Sequence, residues 1–131
     1  MTTLEKIVSE LPHGFHDAYI HTCALDFVAC TASFDIDVWV GDENAEGERS
    51  EAYRSGRLVI HGLLFCELQP PSVDYLFAEA KPLWIDRFEA DKLHPLVELL
   101  PAGAFAERFF VSNWNSFIQF AGTHAELLWS S

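Results

Sequence analysis

Four residues able to bind a metal or move a proton crowd into nine positions near the start of this chain. They are His13, His16, Asp17 and His21, in "LPHGFHDAYIHTCALDF" (11–27). Imidazole nitrogens and a carboxylate are the donors of a catalytic zinc site, which takes about three protein ligands and leaves one position open. His61, in "RLVIHGLLFCEL", offers a further imidazole. The spacing fits that chemistry poorly. An H-E-x-x-H site puts two histidines on one helical face, whereas Pro12 and Gly14 break any helix around His13. If a strand runs from Ala18, His16 and His21 differ by an odd number and face opposite ways, unless a bulge intervenes. The plainer expectation is a helix-to-strand corner in which His16 or Asp17 accepts hydrogen bonds from nearby backbone N–H groups. No cofactor or metal is then expected. The alternative is a metal-dependent hydrolase or small-molecule binder using His13, His16, Asp17, His21 or His61.

Other constellations are thinner. There is no G-x-S-x-G elbow and no glycine-rich phosphate loop. Cys66 sits in an apolar run, where a thiol stays neutral and inert. Asp35 and Asp37 share one strand face about 6–7 Å apart, a spacing of interest for glycoside chemistry, but such pairs are usually a solvated face. Tyr53, Arg54 and Arg57 in "YRSGR" form a compact basic patch. It could grip a carboxylate or phosphate, and the commoner reading is that Arg54 and Arg57 offset the acidic loop before them. Trp114, in a turn, either anchors a partner or folds back over the core.

The elements that must position these residues alternate like strands. Leu4, Ile7, Val8 and Leu11 follow helical spacing behind a Thr2–Glu5 capping box, and Pro12 and Gly14 stop that helix. In Tyr19–Val28, period two puts Tyr19, His21, Cys23, Leu25 and Phe27 on one face. In Thr31–Val40, Phe34, Ile36, Val38 and Val40 face one way and Asp35, Asp37 and Trp39 the other. A turn at Ala29–Cys30 makes the pair a hairpin. "GDENAEGERSE" (41–51) is an acidic loop, and Arg57–Leu68 reads as one long strand. Val73, Leu76, Phe77 and Ala80 have helical spacing behind Ser72. "PLWIDRF" (82–88), "ERFFVS", "SFIQFAG" and "HAELLW" alternate, with "SNWNS" (112–116) as a hairpin turn. "DKLHPLVELLP" (91–101) predicts a helical turn or two. The fold expected is mainly β (α+β): a single antiparallel β-rich domain over 1–131, barrel-like or two-layer, with short helices at its ends.

The totals bound the function. At 131 residues and 50% hydrophobic, the chain suits one domain. Three cysteines without C-x-x-C spacing argue against a disulfide framework or zinc ribbon. The net charge is −12, and it is uneven: residues 1–51 hold 11 acids against 2 bases, and the remainder 9 against 6. Nucleic acid and anionic membrane surfaces are disfavoured as partners, because both need a basic face. The N-terminus lacks a signal-peptide pattern, and no apolar run approaches the ~18–20 residues of a membrane span, so a cytoplasmic location is expected.

"FHDAYI" (15–20), "YRSGRLVIHG" (53–62), "RFFVSNWNSFIQFA" (108–121) and "ELLW" (126–129) together make the chain resemble a group of short uncharacterised bacterial proteins. These share a His-Asp start to the first strand and a Trp-Asn hairpin near the end. The resemblance implies no particular activity. In size and charge the chain is also similar to immunity proteins of bacterial toxin systems. The expected function is non-enzymatic: an acidic interaction protein that neutralises a basic protein partner. Its binding residues would be Glu43, Glu46, Glu48 and Trp114, with His16 and Asp17 at the corner. Edge strands rich in Phe and Trp also invite homo-oligomers.

Overall fold

The capping box at Thr2–Glu5 forms as its spacing predicts. Thr2 Oγ1 accepts from the Glu5 N–H at 3.1 Å, and Glu5 Oε2 accepts from the Thr2 N–H at 2.8 Å. Helix α1 (Thr3–Glu10) follows, with Leu4 fully buried and Ile7, Val8 and Leu11 packed on the same core. These observations come from a computed structural model, which describes residues 1–75, 81–88 and 95–130.

Eight strands follow among the described residues: β1 (Tyr19–Asp26), β2 (Thr31–Trp39), β3 (Tyr53–His61), β4 (Phe65–Leu68), β5 (Leu83–Phe88), β6 (Phe105–Val111), β7 (Ser116–Gly122) and β8 (His124–Trp129). All pairings are antiparallel, in the order β4-β7-β6-β5-β1-β2-β3-β8. The mainly β expectation is met. The sheet does not close, since β4 and β8 are its two ends. It curls so that its own inner face makes the core. Phe34 on β2 meets Phe120 on β7 at 5.4 Å between ring centres, and Phe120 meets Phe109 on β6 at 5.3 Å. Helix α1 lies against β8, where Thr3 Oγ1 accepts from the Ala125 N–H at 2.7 Å. No helix among the described residues is long and apolar enough to cross a membrane.

Two strands differ from the alternation read off the sequence. β1 carries an irregularity between Ile20 and Thr22, so Ile20 pairs with Ile36 but Thr22 with Asp35. The extra residue, His21, shifts the pleat by one. Ile20 and Cys23 therefore both face the core, and Tyr19, His21, Cys23 and Leu25 do not share a face. The long strand expected over Arg57–Leu68 starts earlier, at Tyr53, and breaks into β3 and β4 at Gly62. Gly62 has φ +56°, and a Cβ there would stand 2.1 Å from Thr123 Oγ1. Only glycine lets the two chains cross so closely. Leu64 is consequently exposed rather than aligned with Leu58 and Ile60.

The turns follow local chemistry. Asp26 Oδ1 accepts from the Val28 and Ala29 N–H groups at 3.0 and 2.9 Å, and Cys30 takes φ 55° to close the β1–β2 hairpin. Asn115, at φ 52°, closes β6–β7, a conformation asparagine tolerates. The helix expected around 72–80 lies outside the described residues from 76 onward. So does the start of the one expected over 91–101, of which Pro95–Leu99 forms a 3-10 turn.

Candidate functional site

The corner between α1 and β1 is built on Phe15. Its ring is fully buried and meets Phe109 edge-on at 5.8 Å. Gly14 and Asp17 both take left-handed backbone, at φ 57° and 59°. Asp17 is held there by tertiary bonds rather than by the neighbouring backbone donors the sequence suggests. The Trp84 indole N–H donates to Asp17 Oδ1 at 2.9 Å, and the Tyr53 hydroxyl donates to the Asp17 carbonyl at 3.0 Å. The Tyr53 phenol is pushed up to about 12, first by desolvation and then by the neighbouring Tyr19 and Asp17 charges, so it stays a neutral donor.

The histidines part company. His13 Nε2–H donates to the Gly41 carbonyl at 2.6 Å, with its ring stacked on Trp39. His21 Nε2–H donates to Asp37 Oδ2 at 2.7 Å. His61 Nε2–H donates to Glu126 Oε1 at 2.6 Å, on the far side of the sheet order. Among the described histidines only His16 meets Asp17, Nε2 to Oδ2 at 3.5 Å, while its Nδ1–H donates to the Asp86 carbonyl. One nitrogen or oxygen from each of His16, Asp17 and Asp86 lies within 4.8 Å of the others. Asp86 is separated from His16 by 70 residues, so no local spacing announced it. It arrives because β5 pairs with β1, Tyr19 opposite Trp84.

Asp35 and Asp37 are each satisfied within the outer face of β1–β3. The Thr22 hydroxyl donates to Asp35 at 2.6 Å and the Arg57 Nε–H at 2.9 Å, and these bonds hold its carboxyl below the usual carboxylate range. Desolvation pushes Asp37 upward, but hydrogen bonds from Ser55 and His21 outweigh it and leave it low as well. Both are ionised members of a polar ladder, with their oxygens engaged by neighbours.

The acidic loop is anchored at its base and open above it. The Val40 N–H donates to the Ala52 carbonyl at 2.9 Å, the Asp42 N–H to the Arg49 carbonyl at 2.9 Å, and the Trp39 indole N–H to the Ser50 carbonyl at 2.7 Å. A Cβ on Gly41 would stand 2.2 Å from the Ser50 carbonyl oxygen, so glycine permits this close approach. Asp42, Glu43, Glu46, Glu48 and Glu51 are all exposed. Among the described residues none of them forms an ion pair. Arg54 and Arg57 do not offset them. An odd separation on β3 turns the two arginines to opposite faces: Arg57 pairs with Asp35, and Arg54 lies 4.3 Å over the Trp129 ring.

Trp114 is half-buried and packs on the core cluster. Its ring meets Tyr75 at 6.2 Å, and its buried indole N–H has no partner among the described residues. With Ile20, Cys23, Leu83 and Ile118 it walls a cleft of about 310 Å³. Comparison with known protein families, curated proteins and solved structures finds no match to this chain.

Proposed function

We propose that this chain is an acidic interaction protein that docks on a cationic face of a protein partner through the loop spanning 42–51. The observation carrying the proposal is that five exposed carboxylates, with Arg49 as the one base among them, share a loop pinned at its base, while the two arginines that follow it, Arg54 and Arg57, are engaged elsewhere. Unpaired charge held in one place speeds encounter with a cationic surface, and a pinned loop loses little entropy on binding. A basic toxin or nuclease in a bacterial cytoplasm is the sharpest form of that partner. Association must be sensitive to salt, because exposed charges are screened within ~8–10 Å at physiological ionic strength. A partner recovered at low salt should bind E43K/E46K/E48K about tenfold more weakly or worse, from three exposed pairs of ~0.2–1 kcal/mol each. Unchanged binding after this reversal, or no basic partner recovered at low salt, overturns the proposal.

A second reading is favoured by one observation, the meeting of His16, Asp17 and Asp86. The Asp86 carbonyl orients the His16 ring through Nδ1, and the Trp84 indole orients the Asp17 carboxylate through Oδ1. Such outer bonds are how metal ligands are aimed. A His–Asp–Asp set suits manganese, iron(II) or zinc. In this reading the ligand set narrows to His16 and Asp17 and gains Asp86, while His13 and His21 serve other contacts. Titration calorimetry with each metal on the wild type and Asp86→Asn tests it: no stoichiometric binding, or binding unaffected by the substitution, removes it.

A further inference from the structure

β1 has a strand on its outer edge only at Tyr19 and Ile20, opposite Trp84 and Leu83 of β5. From His21 to Asp26 that edge has no strand beside it among the described residues. Among the described residues β4 pairs with β7 alone. These two open stretches each send one half-buried cysteine against the core cluster, Cys23 from β1 and Cys66 from β4. β1 and β4 face each other here, since the cleft that Cys66 borders is also walled by Leu25 of β1 and the cleft that Cys23 borders is also walled by Leu68 of β4. Cys66 lies with Leu25, Leu63 and Phe65 along one of about 260 Å³. Cys23 lies with His21, Leu68 and Trp114 along one of about 310 Å³. Both volumes exceed what a molecule the size of hydrogen peroxide needs to reach sulfur.

We propose that Cys23 and Cys66 are a peroxide-oxidisable pair that closes into a disulfide across the gap between β1 and β4. The apolar run around Cys66 argues for a neutral thiol, and burial does push it up; nothing local points to a cysteine 43 positions away. The two thiols are not equivalent. The neighbouring Cys66 thiol holds Cys23 below the usual thiol range, while Cys23 and then burial push Cys66 up. Cys23 is therefore the attacking sulfur. Its thiolate displaces one oxygen of hydrogen peroxide, breaking the O–O bond, and becomes a sulfenic acid as one water leaves. The Cys66 sulfur then attacks the Cys23 sulfur, and hydroxide departs with the Cys66 proton as a second water. In sum, two thiols and one peroxide give one disulfide and two waters. The exposed Cys30 is an internal control, since it borders the same cleft as Cys66.

The test treats the full chain with hydrogen peroxide, digests it without reductant and maps the peptides by mass spectrometry. The expected product joins the Cys23 and Cys66 peptides with loss of two hydrogens and no added oxygen, and dithiothreitol reverses it. Cys30→Ser should leave this product intact. Cys66→Ser should instead leave a Cys23 sulfenic acid that dimedone traps, and Cys23→Ser should give no trapped product at Cys66. The denaturation midpoint should rise on oxidation in the wild type and in Cys30→Ser only. A product joined through Cys30, an intermolecular disulfide, or sulfinic acid at Cys23 without a cross-link overturns the proposal. If either core-facing variant fails to fold, the peptide maps of the wild type and Cys30→Ser decide by themselves.

Discussion

His13 stacks on Trp39 with ring centroids 3.8 Å apart and planes 14° from parallel, while its Nε2–H reaches the Gly41 carbonyl at 2.6 Å. One side chain from the α1–β1 corner thus clamps the base of the acidic loop. His13→Ala should cost about 1–2 kcal/mol in chemical denaturation, from a lost stacked pair and a lost hydrogen bond. It should also speed amide exchange across 41–51 and weaken partner association without removing any carboxylate. His13→Phe keeps the ring and should recover part of the stability.

Glu107 on β6 is half-buried on the same strand face as Phe105 and Phe109, and burial, with Glu5 of α1 adding to it, pushes its carboxyl up to about 7. The folded state therefore holds this proton more tightly than the unfolded chain, where a glutamate titrates near ~4.3. The contribution from Glu107 is fully present below that value and is lost as pH rises through about 7. Stability followed by denaturation should fall across that window by up to about 3 kcal/mol. Glu107→Gln should flatten this part of the profile. An unchanged profile would falsify the assignment.

Asp17 combines φ 59° with a side-chain acceptor for the Trp84 indole. Asparagine tolerates that backbone and keeps an acceptor oxygen, so Asp17→Asn should change stability by less than about 1 kcal/mol. Asp17→Ala loses both advantages and should cost about 2–3 kcal/mol. Tryptophan fluorescence of the folded state should shift in the alanine variant, because Trp84 loses its partner.

Gly62→Ala places a methyl group on Thr123 at a left-handed φ, in the crossing that separates β3 from β4. A loss of about 1–3 kcal/mol is expected. Gly103 also has positive φ, yet a Cβ there meets nothing within 4 Å. Gly103→Ala should therefore show the conformational cost alone, and the difference between the two midpoints measures the clash.

Much of the fold was legible because strands and turns announce themselves over short stretches. The alternation of Phe34, Ile36 and Val38 survives intact as the inner face of β2. Thr2 and Glu5 cap α1 as their spacing requires. Asn115 closes the hairpin turn read at 112–116. The failures share one cause. A bulge at His21 and a crossing at Gly62 each depend on what the partner strand does, and a period-two reading has no access to the partner.

The site was less legible, for the same reason carried further. Composition and spacing alone made the chain acidic and β-rich, marked 41–51 as an exposed loop and argued that the histidines around the corner would not converge. Those features are local or additive, so the linear order of residues determines them. Tertiary structure decided the rest. It took His13 to the acidic loop, brought Asp86 and Trp84 to Asp17 through strand pairing, drew Arg57 to Asp35 and set Cys23 beside Cys66. Each of these contacts joins positions far apart in the chain, and only the curl of the sheet chooses which distant residues become neighbours.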